Sequence, residues 1–525
     1  MIETDPAVCV SPHSSPLPGL RHQQLVVGLS VLWVVIWGLR GVLIETRVSG
    51  PDSMFPLCQD LHRLLTQGDL RGIWHWFRTT EVHPPLPYLV ATLTALPLGF
   101  SLATVRLCGV LLHAVAVLQV NALARRMYAP EAARGGAGSS CRAIPTLAAA
   151  ITATTPMAAG WFRLDYPDPL VAVLLLATLQ LALRTDLGRA RGAVALGVLI
   201  GLGALTHLRY PMLALPAALV FLWARLGPSD GVSRTRRAGN AALAALTALV
   251  ICGGWYVRHL DQVLFNAGIS TASTHPLAQR LAVQFWQPHG TLVLSVLALA
   301  GLLTARRILA RGAWGMLAAT WVVGYATLAL VVDPMARYAV PLLPLSALLC
   351  ATAVGSLLER LHPRWRRGAL VAALVLAAAC SASLELAPLP PESEQMPPTG
   401  LIPADGRNRS AFRRAATFLI EQRARALLVC ASDAALHQTH LQRALLARQP
   451  MWISVEQCRE MLANGESVVA LLVGSQPDEG RRGPVWKLEA EPGWRLLQRH
   501  KRQELAQFGD RTPFTLSIFD LRPAQ

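Results

Sequence analysis

Two acidic positions in a strongly apolar chain are the residues best suited to chemistry. One is Asp52, just after the first apolar segment, and the other is the pair Asp165 and Asp168, just before a later segment. A carboxylate can accept a proton from a hydroxyl group or hold a divalent cation. Ionisable side chains at membrane depth are costly, so carboxylates at the edges of apolar segments are candidates for function.

Side chains that suit the binding of a phosphate lie at the ends of other apolar segments. His83 precedes two prolines, Arg209 separates two apolar stretches, and Arg337 is followed directly by Tyr338. Positive side chains there can stabilise a departing phosphate. Glu81 is near enough in sequence to His83 to influence its charge.

Each candidate also has a purely structural interpretation. Asp52 suits a turn or a helix N-cap, and Asp168 before Pro169 suits an N-cap with proline at the first helical position. Arg209 and Arg337 can extend to lipid headgroups, as arginines at span ends commonly do. The functional interpretation requires that the candidates reach the same side of a membrane.

Composition and charge place the chain among membrane proteins. Of its 525 residues, 53% are hydrophobic and only 15% are charged, and its mean hydropathy is +0.39. These values exclude an ordinary soluble protein. The net charge of +17 comes from arginines in short clusters between apolar segments. That distribution follows the positive-inside rule and argues against nucleic-acid binding.

The apolar segments predict an all-α polytopic membrane protein with about eleven spans. The candidate spans are 25–44, 103–124, 144–160, 169–184, 193–209, 211–226, 239–257, 290–305, 313–332, 339–358 and 368–385. Segment 86–99 is short and has proline near both ends, which favours a re-entrant or interfacial helix. With the N-terminus inside, the arginine clusters then lie on the cytoplasmic side and both acidic positions lie outside.

The same topology divides the chain into domains. Residues 1–24 form a cytoplasmic tail, and 25–385 form the membrane domain with a long first outer loop over 46–86. A proline-rich linker over 386–408 precedes a small exoplasmic α/β domain over 409–525.

Local patterns predict structure in two of these parts. In the first outer loop, apolar residues at helical spacing over 53–68 indicate a helix in the membrane interface, and Trp74, Trp76 and Phe77 suit the headgroup level. In the C-terminal domain, 415–424 suits a helix. Buried strands are expected at 426–430 and 467–473, with a terminal strand at 514–519.

An ordered series of motifs in residues 25–385 resembles the GT-C glycosyltransferases that use polyprenyl-phosphate-linked sugars. This group includes the protein O-mannosyltransferases and the lipid A aminoarabinose transferases, in glycosyltransferase family 39. The matching motifs are the acidic residue after the first span at Asp52, His83-Pro84-Pro85-Leu86, Asp168-Pro169-Leu170, and Arg337-Tyr338 with Pro341. The chain departs from the family at Ser53, where a second acidic residue is frequent, and at a frequent lysine that Arg209 or His207 replaces.

The resemblance implies roles for the candidates. Asp52 and Asp168 would be catalytic, with Asp52 as the base, and these two would hold a divalent metal ion if the reaction uses one. The substrate-binding residues would be His83, Arg337, Tyr338 and Arg209. Asp165, as the alternative to Asp168, and Glu81, as a neighbour of His83, are further substrate-binding candidates from their positions in the sequence.

The implied partners are a polyprenyl-phosphate sugar donor and a lipid, glycan or protein acceptor at the outer face of a membrane, with a bacterial inner membrane expected. Nucleic acid is not an expected partner. Two other interpretations stay open at this point. One is a lipid or solute transporter or flippase whose rim charges act as gates, and the other is a membrane anchor for the C-terminal domain.

Overall fold

A computed structural model shows a bundle of helices followed by a small mixed sheet. It describes residues 20–44, 54–79, 84–133, 143–162, 167–226, 232–261, 263–264, 277–286, 289, 292–331, 336–386, 418–419, 426–430, 451–452, 455–464, 466, 468–474, 501–508 and 515–522.

Seventeen helices make up the described part of the bundle. They are α1 (Leu20–Ile44), α2 (Phe55–Gln67), α3 (Leu70–Thr79), α4 (Leu86–Ala95), α5 (Leu102–Ala133), α6 (Ile144–Thr154), α7 (Pro156–Phe162), α8 (Asp168–Arg184), α9 (Ala190–Ala204), α10 (Arg209–Leu226), α11 (Arg234–Arg258), α12 (Leu277–Leu281), α13 (Leu292–Ile308), α14 (Arg311–Ala318), α15 (Gly324–Val331), α16 (Leu343–Arg360) and α17 (Pro363–Leu386). Wider π-helical turns continue α12 over Ala282–Trp286 and join α14 to α15 over Ala319–Val323. Short 3-10 turns cover Leu96–Leu98 and Ala336–Leu342.

Five helical stretches in the described residues are long and apolar enough to cross a membrane. They span His22–Val42, Ala103–Tyr128, Arg234–Arg258, Arg311–Leu330 and Tyr338–Arg360. Shorter apolar helices lie between them. The predicted multi-pass, mainly helical architecture is therefore confirmed.

Contacts between α9 and α11 establish the direction of three successive passes. The Ala244 carbonyl lies against Gly197, and the Ala248 carbonyl lies against Gly201. The Tyr256 hydroxyl donates to the Ala204 carbonyl at 3.0 Å. Contacts that advance together along both helices mean that α9 and α11 run parallel, so α10 returns between them. This alternation agrees with the predicted topology of the spans.

Two predicted spans are interrupted or end early in the structure. The predicted span 144–160 is interrupted, because Thr155 has an extended backbone (ψ 115°) and Pro156 begins the next helix. A residue before proline is driven out of the helical region by the proline ring, which explains the break. The predicted span 193–209 ends earlier, at Ala204, and Arg209 begins the next helix.

Segment 86–99 forms a short apolar helix. Its α-helical and 3-10 parts together cover Leu86–Leu98, which at 1.5 Å per residue is about 20 Å long. The hydrocarbon core of a bilayer is about 30 Å thick. The segment is thus shorter than the hydrocarbon core, and its re-entrant or interfacial placement stays a prediction.

The first loop packs as two helices against α4 and α5. The predicted helix at 53–68 is found as α2, and its N-cap residue Met54 and its buried Leu61 share a core with Tyr88. The depth of Trp76 relative to the headgroups stays a prediction, but its side chain packs inside the protein and does not face outward. Trp76 is buried and meets Tyr88 edge to face, with ring centroids 5.9 Å apart.

The C-terminal region contains a five-stranded mixed sheet. Its strands are β1 (Ala426–Cys430), β2 (Met451–Trp452), β3 (Val468–Gly474), β4 (Lys501–Phe508) and β5 (Thr515–Arg522), in the order β2-β1-β3-β5-β4, with helix α18 (Val455–Ala463) before β3. β1 pairs in parallel with β2 and β3, and β5 pairs antiparallel with β3 and β4. The three predicted strands are present. The predicted helix 415–424 lies outside the described residues except at 418–419.

Candidate functional site

The N-terminal ends of three segments meet at one end of the bundle. Asp168 is the first residue of α8, Arg209 is the first residue of α10, and Tyr338 lies in the 3-10 turn that leads into α16. The Asp168 Oδ1 and Arg209 Nη1 atoms are 3.7 Å apart. The Arg209 guanidinium carbon lies 3.1 Å from the centroid of the Tyr338 ring. We call these three residues the Asp168 cluster.

The Asp168 cluster is largely withdrawn from solvent. The side chain of Asp168 is 6% exposed and that of Arg209 is 17% exposed, while Tyr338 is buried. Buried charges are stable when they are paired, so the opposite charges explain how both side chains are accommodated. At 3.7 Å the contact is an ion pair longer than a hydrogen bond.

Asp168 does not occupy the N-cap position that its sequence context suggested. The N-cap residue is Pro167, and Asp168 lies in the first turn of α8. A carboxylate there is still favoured by the positive end of the helix dipole. The ion-pair partner of its carboxylate is nevertheless Arg209, which comes from another helix.

The turn between α9 and α10 positions Arg209. The Arg209 backbone N–H donates to Nδ1 of His207 at 3.0 Å. Because Nδ1 accepts this hydrogen bond, it carries no proton, and the neutral ring is protonated on Nε2. His207 is buried, so its hydrogen bond to Arg209 holds the turn in one conformation from the interior of the protein.

Two hydrogen bonds from elsewhere in the chain hold the same turn. The Tyr256 hydroxyl on α11 donates to the Ala204 carbonyl at 3.0 Å, and the Leu86 N–H at the start of α4 donates to the Leu205 carbonyl at 3.1 Å. Tethers to two separate helices restrict the movement of the segment that carries Arg209.

Packing beneath Arg209 fixes the start of α10. The Tyr210 hydroxyl lies 2.6 Å from Thr178 Oγ1 on α8, and the fully buried Tyr210 ring fills the space beside Gly203. A Cβ atom at Gly203 would collide with that ring. The small residue on α9 therefore allows Tyr210 to join α8 and α10 directly below the Asp168 cluster.

The His83-Pro84-Pro85-Leu86 motif reaches the same region through its last residue. Pro84 and Pro85 are buried, and Leu86 makes the hydrogen bond to Leu205 described above. His83 itself lies outside the described residues.

The remaining predicted site residues are only partly visible. Asp52, Glu81 and Asp165 lie outside the described residues. Arg337 belongs to the 3-10 turn Ala336–Leu342, next to Tyr338. The structure thus brings together Asp168, Arg209 and Tyr338 of the predicted set, and the role of each remains a prediction.

Sequence reasoning missed Tyr256 and Arg106. Tyr256 gave no signal, because its contact with Ala204 joins residues far apart in sequence. Arg106 is 1% exposed in the second turn of α5 and is among the largest fully buried side chains in the described structure. An arginine inside a predicted apolar span is a signal that could have singled it out.

The described residues offer little for a metal ion. No group of three His, Cys, Asp or Glu side chains in this part of the chain is arranged to hold one. The visible carboxylate, Asp168, faces a guanidinium group, and a positive neighbour disfavours a second cation.

Comparison with solved structures identifies the fold. The chain is similar to ArnT from Cupriavidus metallidurans bound to undecaprenyl phosphate, with a TM-score of 0.60 and 16% sequence identity over 94% of this chain and 97% of that chain. The apo state of ArnT gives a TM-score of 0.58 and 15% identity over the same shares. No protein-family model matches the sequence, and no curated protein gives a significant match. The chain therefore has the GT-C fold that its motif series predicted.

Proposed function

We propose that this protein is a membrane glycosyltransferase that moves a sugar from a polyprenyl-phosphate carrier to an acceptor at the outer face of the membrane. The observation that carries the proposal is the Asp168 cluster, which places a preorganised guanidinium at one end of a GT-C fold. A positive group held before the reaction begins can stabilise charge on a leaving phosphate without reorganisation.

Arg209 is the residue best placed to bind that phosphate. Its guanidinium presents five N–H donors in a planar fork that matches phosphate geometry. Stacking on Tyr338 fixes the plane of the fork, and Asp168 holds one edge by charge attraction. His83 and Arg337 are proposed as further phosphate contacts.

The proposed reaction is a single displacement at the anomeric carbon. The acceptor hydroxyl oxygen forms a bond to that carbon while the bond to the carrier phosphate oxygen breaks, and the phosphate leaves with the electron pair. Asp52 takes the hydroxyl proton. A positioned base of this kind typically contributes about 10²–10⁴-fold to the rate. Attack opposite the leaving group inverts the anomeric configuration.

The distribution of buried charge supports a transferase over a transporter. In the described part of the chain, the buried charged side chains are Arg106, Asp168 and Arg237. Arg106 and Asp168 lie near the starts of α5 and α8. Arg237 lies at the opposite end, where its Nη1 donates to the Arg225 carbonyl at 3.0 Å. A charged path through both leaflets would need ionised groups along the middle of the bundle, whereas the polar groups buried midway along α5 are a histidine and an amide, His113 and Asn121.

The location and partners follow from the same proposal. The end of the bundle with the Asp168 cluster faces outward, with the arginine-rich end in the cytoplasm, as the positive-inside rule requires. The host membrane is a bacterial inner membrane. The acceptor is a lipid, glycan or protein that presents a hydroxyl group at this face.

Carrier turnover tests the proposal. Purified protein in vesicles is incubated with a panel of polyprenyl-phosphate sugars and acceptors, and the released polyprenyl phosphate is measured. Wild-type protein should release it, and Asp52→Asn should abolish release while still inserting into the membrane. Arg209→Gln should lower release strongly. Arg225→Gln, at the other end of α10, is the matched control and should retain activity. An active Asp52→Asn variant would remove Asp52 from the mechanism.

A further inference from the structure

The outer face of α3 combines exposed apolar and basic side chains. On the inner face of the helix, Trp76 packs against Tyr88 of α4 and also contacts Phe77 of α3 itself. Leu70 is 78% exposed and Trp74 is 65% exposed. The exposed residues repeat at positions i, i+1, i+4, i+5 and i+8, so they form one helical face: Leu70, Arg71, Trp74, His75 and Arg78. We call this set the α3 face.

The α3 face lies at the same end of the bundle as the Asp168 cluster. Trp76 on α3 contacts Tyr88 at the start of α4. Leu86, at the first position of α4, bonds to Leu205 in the turn that ends at Arg209. These successive contacts place α3 at the rim of the bundle, at the level of the helix ends.

The neighbouring helix α2 has an exposed face of a different character. Its exposed residues are polar: Gln59, Asp60, Arg63, Thr66 and Gln67. Asp60 and Arg63 form an ion pair at 3.5 Å, so this face is close to neutral. The sequence of α3, in contrast, contains two arginines and no acidic residue. The α2 face suits water, whereas the α3 face has the apolar and basic composition of a helix in a membrane interface.

We propose that the α3 face lies in the lipid–water interface and binds the phosphate groups of anionic lipids in the leaflet nearest the Asp168 cluster. Leu70 and Trp74 enter the boundary between headgroups and acyl chains, where tryptophan is favoured. Arg71 and Arg78 are seven residues apart and therefore lie on the same face of the helix. Both side chains point to the same headgroup layer. Arginine binds phosphate oxygens through two parallel N–H groups. This inference does not depend on the proposed reaction.

Fluorescence quenching by brominated lipids tests the inference on the full chain. Wild-type protein and Trp74→Phe are reconstituted in phosphatidylcholine vesicles that contain either brominated phosphatidylglycerol or brominated phosphatidylcholine at equal mole fraction. The difference between the two proteins isolates the Trp74 signal. That signal should be quenched by both lipids, and more strongly by the anionic lipid.

Charge variants measure the contribution of each arginine. The preference for anionic over zwitterionic lipid should fall about fivefold for Arg71→Gln and again for Arg78→Gln, since a basic residue near an anionic surface contributes about 1 kcal/mol. High salt should also lower the preference of the wild type for anionic lipid, because salt screens the attraction between the arginines and the headgroups. Arg63→Gln on α2 is the matched control and should leave the preference unchanged.

Two results would overturn the inference. A Trp74 signal that neither lipid quenches would place the α3 face outside the bilayer, as expected of a face that binds another protein. Equal quenching by the two lipids, unchanged in Arg71→Gln and Arg78→Gln, would show lipid contact without recognition of phosphate. Circular dichroism of each variant establishes that the helical bundle is intact.

Discussion

The ion pair between Asp168 and Arg209 should stabilise the end of the bundle that carries the candidate site. For two unit charges 3.7 Å apart, the attraction at an effective dielectric constant of about 20 is about 4.5 kcal/mol. Part of that attraction offsets the loss of hydration of two side chains that are 6% and 17% exposed. The net value of the pair is therefore smaller than the attraction itself.

Removing one partner leaves the other charge without compensation. Arg209→Gln strands the more deeply buried group, the Asp168 carboxylate, and should lower the free energy of unfolding by about 3–5 kcal/mol. Loss of stacking on Tyr338 adds about 0.5–2 kcal/mol. Asp168→Asn should cost less, about 1–3 kcal/mol, because the Arg209 guanidinium retains more contact with water. Arg209→Lys keeps the charge and loses the planar stacking, so its cost should be intermediate.

The double variant Asp168→Asn/Arg209→Gln separates the interaction energy between the two side chains from the energies of their contacts with the rest of the protein. Both side chains are then neutral, so the double variant should be about 2–3 kcal/mol more stable than the sum of the single variants predicts. Denaturant unfolding in mild detergent, followed by circular dichroism, gives the four free energies. Arg225→Gln supplies the matched control within α10. Additivity within about 0.5 kcal/mol would refute the coupling between these two residues.

Three further predictions concern the support of the site and the cytoplasmic end. Gly203→Ala should displace the Tyr210 ring, which occupies the position of the added methyl group, and lower the free energy of unfolding by about 1–3 kcal/mol. Ser346→Ala should cost about 1–3 kcal/mol in the same unfolding assay, because Trp321 Nε1, which donates to the serine hydroxyl at 2.9 Å, loses its acceptor. Asp186→Asn should remove a small contribution to the free energy of unfolding, one that the wild type itself loses at acid pH. The N–H of Gly188 donates to the Asp186 carboxylate and lowers its pKa, so this stability is present above the ordinary pKa of about 3.9 and is lost as the pH falls through the lower folded value.

Each of these predictions has a control or a contrary outcome. Gly239→Ala lies within α11, where an added methyl group meets no described atom within 4 Å, and should be neutral or slightly stabilising. Ser30→Ala removes a buried hydroxyl whose hydrogen bond, among the described residues, is to Val26 of its own helix, so it should cost less than Ser346→Ala. Equal losses within either pair would contradict the packing described. Identical pH profiles for wild type and Asp186→Asn between about pH 5 and pH 2 would contradict the lowered pKa.

The approach of Asp168, Arg209 and Tyr338 to one another could be anticipated from the sequence because charge sets the topology. Arginine clusters identify one side of the membrane, so the starts of alternate spans must lie together on the other side. The contact of the guanidinium with the Tyr338 ring could not be anticipated, because it depends on the rotation of two helices about their axes. The tether from Tyr256 to Ala204 depends on the same packing.

The gaps in the sequence prediction have similarly local causes. The sequence pattern expects Trp74 and Trp76 at the same level of the membrane but does not say which way each side chain faces, and residues two apart on a helix lie on different faces. Trp76 therefore faces the core while Trp74 is exposed. In the sheet, β4 was missed because its sequence, Lys-Arg-Gln-Glu-Leu-Ala-Gln-Phe, is mostly polar. A strand of this kind at the edge of a sheet lacks the apolar run that marks a buried strand.

The central claim is that the end of the bundle with the Asp168 cluster binds the phosphate of a polyprenyl carrier. A cryo-electron microscopy structure of the full chain with undecaprenyl phosphate tests it most directly. We predict phosphate oxygens within hydrogen-bond distance of the Arg209 guanidinium, with density that is lost in Arg209→Gln and kept in Arg225→Gln. Phosphate density at the opposite, arginine-rich end, or density that is unchanged in Arg209→Gln, would contradict the account.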